Sequence, residues 1–243
     1  MSFRRCLLAG SALLFATSAN ALTLDFEEFV HGSIVTSSQG VVITTENFDN
    51  TAGHPDLGVA FDSVNGAPTT DPDLLQGAGW TSGNLAPNTV LDNLLIVQEN
   101  DNCTLVLCSD PDDQAGLGGQ FIFDFSAVDE FETFAFDLVD HEGAGGGETG
   151  SIEFYLNGGQ VGGTISFNDF LGLVQGVVFG DNSANHIDLG TVGLFDEVRI
   201  AIRGSGAIDN IVVTNDIIPE PNTMALCGIG LVMLAAAGRK RDL

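Results

Sequence analysis

Carboxylates are the chain's main chemical resource. Asp25 and Glu27 lie in LTLDFEE near the start of the chain, and Asp209 lies in GSGAIDNIVV near its end. A second set comprises Asp62, Asp71, Asp73, Asp110, Asp112 and Asp113, in FDSVNGAPTTDPDL and SDPDDQAGLGG. Both stretches carry Asp-Pro-Asp, a turn that points its carboxylates outward. Carboxylate and carbonyl oxygens are hard donors, and six to eight of them make a calcium site. The loop acids Asp71, Asp73, Asp110 and Asp112 are therefore candidate ligands for Ca2+. An EF-hand is excluded, because DPDDQAGLGGQF has Ala115 where that loop needs Gly and Phe121 where it needs Glu.

Catalysis is the weaker reading. Two carboxylates about 5 to 10 Å apart can hydrolyse a glycoside, but among so many acids some pair meets that spacing by chance. The histidines are His31, His54, His141 and His186; none lies in HExxH, and no GxSxG nucleophile elbow occurs. His141 in LVDHEG reads as a solvated loop residue. The enzyme question stays open, leaning against. Trp80 in GAGWTSG is the one Trp and is a candidate ring for stacking on a sugar; the alternative is a ring tucked over the edge of the core. Cys103 and Cys108, in CTLVLC, suggest a local disulfide in an oxidising compartment.

The charge explains why a cation is the natural partner. Of seven basic residues five fall in the two termini, leaving Arg199 and Arg203 against 31 acids between residues 22 and 218, a net of −29. Such a field repels nucleic acid and anionic headgroups. Almost no cation is left to clamp a phosphate, and no Gly-rich loop leads into a Lys. Salt bridges cannot neutralise the acids, so they are either solvated or paired across divalent ions.

The elements that must position these groups read as strands. LTLDFEE alternates, QFIFDF puts Phe121, Phe123 and Phe125 on one face, and FETFAFDLVD does the same with Phe134, Phe136 and Leu138. GVVITT, VAFD, VLDNLLIVQE, SIEFYL, GTISF, GVVFG, HIDLG, EVRIAI and AIDNIVV complete the series, with Gly, Asn and Asp between them. NDFLGL suggests one helical turn, and GAGGGETG a hairpin tip or loop. Residues 47–88 carry little periodicity and read largely as a long loop, functional or mobile. Fifteen of 17 Phe fall between Phe26 and Phe195, enough for one core. The expected fold is all-β, a jelly-roll-like β-sandwich over residues 22–218.

The two ends add signals. Arg4 and Arg5, the apolar CLLAGSALLFA and the small residues Ala19 and Ala21 form a signal peptide over residues 1–21, with cleavage after Ala21. Residues 219–243 hold Pro219, Glu220 and Pro221, then an uncharged run from Met224 to Gly238, then Arg239, Lys240 and Arg241. As a helix this run of 15 residues spans roughly 22 Å against a hydrocarbon core of about 30 Å. It is a short transmembrane anchor with its basic end cytoplasmic, so the domain faces outward.

This tail resembles the PEP-CTERM sorting signal. The resemblance implies an exported protein, processed by an exosortase-type membrane enzyme after transient inner-membrane insertion. Its destination would be the cell surface or extracellular matrix, often beside exopolysaccharide. The order DFE, FDS, DPDL, LLIVQE, DPDD, GGxFxFxF and SGAID also resembles a recurrent bacterial secreted β-domain with no assigned activity. The pairing of Asp25 and Glu27 with Asp209 is similar to galactose-binding-like sandwiches, carbohydrate-binding modules among them. That likeness implies a structural calcium held by an acid of the opening strand and the Asp of the closing strand; the alternative is that Asp209 caps a turn while Glu27 is solvated. The expected role is non-enzymatic, in adhesion or association with exopolysaccharide. A polysaccharide-active hydrolase and a ligand-free coat protein are the alternatives.

Overall fold

A computed structural model describes residues 20–65, 69 and 72–215. Asp71, Ala19 and the sorting residues Pro219, Glu220, Pro221, Arg239, Lys240 and Arg241 lie outside them, as does the expected terminal helix. Among the described residues no helix is long and apolar enough to cross a membrane.

Among the described residues twelve strands and two short helices follow in order: β1 Ala21–Leu24, β2 Ser37–Ser38, β3 Val41–Asn47, β4 Gly58–Asp62, β5 Asn93–Val97, β6 Gly119–Asp124, β7 Phe131–Val139, α1 Gly143–Gly146, β8 Thr149–Leu156, β9 Gly159–Ser166, α2 Phe167–Leu173, β10 Ala184–Phe195, β11 Glu197–Arg203 and β12 Ala207–Thr214. They form two antiparallel sheets. The first runs β10-β7-β12-β5-β4, with β1 also on β12; the second runs β2-β3-β6-β11-β8-β9. The chain is an all-β sandwich.

Alternation decides which side chains meet between the sheets. Phe121 and Phe123 from β6, Val198 and Ile200 from β11, Phe134 and Phe136 from β7 and Ile208 and Ile211 from β12 share one core. Phe rings meet there edge to face, as Phe134 does with Phe154 at 5.4 Å between centroids. Such pairs add roughly 0.5–1.5 kcal/mol beyond area burial.

A second core covers the outer face of the first sheet. Leu94 and Ile96 of β5, Val139 of β7 and Ala207 of β12 are joined there by Leu74, Trp80 and Leu91 from the connection between β4 and β5, and by Cys108. All five residues of NLLIV are consequently buried, which is why this strand reads as an unbroken apolar run. Two expectations are corrected. GVVFG forms no strand: the Asn185 side chain instead takes both the N–H and the C=O of Val178, at 3.0 Å each, and the Gly180 N–H donates to the His141 carbonyl. GAGGGETG is neither a bare loop nor a hairpin tip: it holds α1, closed by Gly147 at φ 93°, and leads into β8. NDFLGL falls within α2, whose start carries a Ser166–Asp169 capping box.

Candidate functional site

β12 changes partner halfway along. Ala207 and Ile208 pair with Ile96 and Leu95 of β5, while Ile211 to Thr214 pair with Leu24 to Ala21 of β1. The ladder to β7 slips between Asp209 and Val212, and Asn210 takes a left-handed φ of 47°. Asn is one of the few side chains that tolerates that conformation. The bulge keeps Ile208 and Ile211 in the core and turns Asp209 to the outer face.

On that face the register lines up His186 of β10, Asp137 of β7 and Asp209 of β12. His186 Nδ1 lies 2.7 Å from Asp137 Oδ1. Asn210 Nδ2 donates to Asp137 Oδ2 and to Asp209 Oδ2, at 2.9 Å each. Asp209 is 1% exposed, and its Oδ1 is buried with no hydrogen-bond partner. Two acids directly opposite on a sheet repel, and a buried oxygen without a donor is costly.

The opening strand supplies the other half. After β1 the chain turns at Phe26, φ 58°. Asn93 fixes that turn: its Nδ2 donates to the carbonyls of Phe26 and Phe29, and its backbone N–H donates to Glu27 Oε1 at 3.1 Å. Asp25 and Glu27 are thereby held within electrostatic reach of Asp209.

The protonation of these groups follows from burial and like charge. Desolvation, reinforced by Asp137, Glu27 and Asp25 and opposed by the Asn210 N–H, pushes the Asp209 carboxyl up to about 9. Burial also raises Glu27, against the Asn93 N–H and with Asp92, Asp25 and Asp62 adding to it. His186 is raised by its bond to Asp137, against burial. Among the described residues no guanidinium compensates. Arg199 and Arg203 both sit on β11 in the other sheet, one paired with Glu197 at 2.7 Å, the other over the Phe48 ring.

The structure therefore brings Asp25, Glu27 and Asp209 into one electrostatic group. Among the described residues no three acid, histidine or cysteine side chains are already gathered as a metal cage; Glu27 is exposed. A cation would find the orphan Oδ1 of Asp209 and the carboxylates of Asp25 and Glu27, a hard-oxygen set that suits Ca2+.

The loop acids are arranged differently. Asp73 is exposed, and its carbonyl accepts Asn182 Nδ2. Asp110 offers its carbonyl to Gln98 Nε2 and Asn100 Nδ2. The Asp112 backbone bonds Gln98 Oε1 and Glu99 N–H. The acid that turns inward is their neighbour Asp113, 3% exposed, whose Oδ2 accepts the Ser205 hydroxyl at 2.8 Å.

Trp80 is 3% exposed, and its Nε1–H donates to the Thr89 carbonyl at 2.9 Å. Its ring belongs to the second core, so it offers no face for stacking on a sugar. His141 is not solvated: it is 1% exposed, between the edges of Phe167 and Phe179 and 3.2 Å from Glu148 Oε2. Cys103 and Cys108 are joined in a disulfide. Reading the sequence for acids at the chain's two ends missed Asp137, His186, Asn93 and Asn210. The alternation in FETFAFDLVD already set Asp137 on the face opposite Phe134 and Phe136.

No protein-family model, curated protein or solved structure matches the chain.

Proposed function

We propose that this is an exported, exosortase-processed protein of the cell surface or extracellular matrix. Its jelly-roll-like sandwich is stabilised by calcium, and it acts without catalysis in adhesion or association with exopolysaccharide. The observation that carries the calcium part is Asp209: a buried carboxylate oxygen with no donor, beside three more acids, in a sheet that holds no arginine or lysine. Asp209, Asp25 and Glu27 would hold the ion, which would tie the first strand to the last. The export part rests on the signal-like N-terminus and the PEP-CTERM-like tail, and the Cys103–Cys108 disulfide fits an oxidising compartment. The exopolysaccharide part rests on the sorting resemblance alone.

The test is thermal unfolding with millimolar calcium and with chelator, on the wild type and on Asp209→Asn. Calcium should raise the melting temperature of the wild type only. An unchanged wild-type melt sinks the calcium reading. A second reading, a secreted polysaccharide hydrolase, draws on the Asp137–His186 pair, whose imidazole side chain is 44% exposed and oriented by a carboxylate as a general base would be. Release of reducing ends from exopolysaccharide, lost in His186→Gln, would favour it.

A further inference from the structure

Arg199 and Arg203 are the only Arg or Lys between residues 22 and 218, and their surroundings differ. Arg199 is paired with Glu197. Among the described residues Arg203 forms no ion pair, although Glu148 lines the same cavity. The Glu148 carboxylate is turned inward: Oε1 accepts the Ser205 N–H at 2.8 Å and Oε2 the Glu142 N–H at 2.7 Å. Gly204, at φ 110°, permits that packing, since a Cβ there would stand 2.5 Å from Glu148 Cγ. Arg203 is thus exposed, with no carboxylate drawing on its five N–H donors.

The guanidinium is nonetheless held in place. It lies over the Phe48 ring, 4.5 Å from the centroid, a stack that fixes its plane and leaves the donors along its edge available. Both residues are pinned to Gly118. The Phe48 N–H donates to the Gly118 carbonyl at 3.0 Å, and a Cβ at Gly118 would stand 2.7 Å from Arg203 Cα. A donor set in advance loses little freedom on binding. The cavity beside it holds about 410 Å³, walled largely by the main chain of Gly116, Gly146, Gly147 and Gly204, with Thr149 and Leu117 adding side chains. Glycines let backbone approach a ligand closely.

We infer that this cavity binds one or two rings of an uncharged saccharide. Chemistry selects that class by elimination. Arg203 in the wall repels a cation. The net charge of −26 repels an anion, and a polyanion most of all. An apolar ligand would strip water from the guanidinium and the main chain without replacing the lost bonds. Hydroxyls both donate and accept, so a polyol can accept from the Arg203 edge and exchange bonds with Thr149 and the glycine backbone. The size agrees: roughly 150 Å³ holds a benzene-sized group, and about 410 Å³ leaves room for one or two hydroxylated rings. This site gives the exopolysaccharide association proposed above a place on the molecule, and it rests on that reading for the source of the sugar. It shares no residue with the Asp209 group.

Calorimetric titration of the full chain with maltotriose, mannotriose and galactotriose, and with trigalacturonate as the charged counterpart, tests this. At least one neutral trisaccharide should bind, and trigalacturonate should bind more weakly than it. Arg203→Leu should weaken binding by roughly 10- to 100-fold, the loss of hydrogen bonds from a charged donor. Thr149→Glu should do the same at an exposed position. Residues 149 and 203 stand opposite each other in the β8–β11 ladder, so the new carboxylate would pair with the guanidinium and occupy its donors. Unchanged melting temperatures show that both variants fold. Failure of every neutral trisaccharide to bind, tighter binding of trigalacturonate, or binding that survives both substitutions overturns the inference. Retention on immobilised exopolysaccharide, measured alongside, separates the two readings. A chain that is retained but binds no trisaccharide loses this site and keeps the association. A chain that binds one through Arg203 but is not retained keeps the site and loses the association.

Discussion

Asp209 stands opposite Asp137 across the β12–β7 ladder, and one side-chain amide, Asn210 Nδ2, lies 2.9 Å from both carboxylates. Burial and the neighbouring carboxylates of Asp137, Glu27 and Asp25 favour the protonated form of Asp209.

Without calcium the folded chain keeps the Asp209 proton up to about pH 9, whereas the unfolded chain loses it near the ordinary carboxylate value of 3.8. The folded state thus binds more protons between those limits, and this group's contribution to stability falls as pH rises through them. Urea midpoints taken in chelator at pH 5, 7 and 9 should fall in that order, and Asp209→Asn should flatten the trend. Calorimetry in two buffers of different ionisation enthalpy should show about one proton released per calcium bound at pH 7.

Asp137→Asn should lower two titrations together. It removes a like charge from beside Asp209 and the anionic acceptor from His186. The imidazole contribution is fully present below its unfolded value of 6.5 and is lost as pH rises through the raised folded value; in the variant that loss should occur at lower pH. NMR titration of the His186 ring and the Asp209 carboxyl reads both shifts.

Trp80 should report folding and ignore sugars. Its emission should be blue-shifted in the folded chain, red-shift on unfolding, and stay unchanged when exopolysaccharide is added. Trp80→Ala should cost about 3–5 kcal/mol in urea unfolding, as expected for emptying a large buried site.

Opening the Cys103–Cys108 bond should cost about 2 kcal/mol from the freedom returned to a short loop. Cys103→Ser, at a half-buried position, reports that term in urea unfolding. Cys108→Ser should cost more, since Cys108 is 2% exposed within the second core.

The sandwich was legible because alternating Phe in QFIFDF and FETFAFDLVD leaves strands as the only way to bury one face. That β1 lies beside β12 was expected only from the resemblance to galactose-binding-like sandwiches, since strand periodicity alone does not say which strands are neighbours. Asn210 and Asn93 were not legible. Their work is done by an amide reaching across a bulge and a turn, and neither leaves a period in the sequence. Trp80 misled because Gly77, Gly79 and Gly83 around it look like an exposed loop; the glycines instead let the chain lie flat on the sheet, with a Cβ at Gly83 falling 1.9 Å from the Ala184 carbonyl oxygen. His141 misled because acids beside it in sequence suggested water, while Phe167 and Phe179 reach it from elsewhere in the chain.

Residue 21 and residue 214 are neighbours in the β1–β12 ladder, so the strand that leads into the sandwich and the strand that leads out of it meet at one corner. A tug on the trailing end meets Thr214 gripped on two flanks, by β1 and by Thr133 of β7. It must strip both before it reaches the kink at Asn210. The proposed ion, seated between the turn after β1 and Asp209, would then act as a rivet, resisting such a pull at this corner.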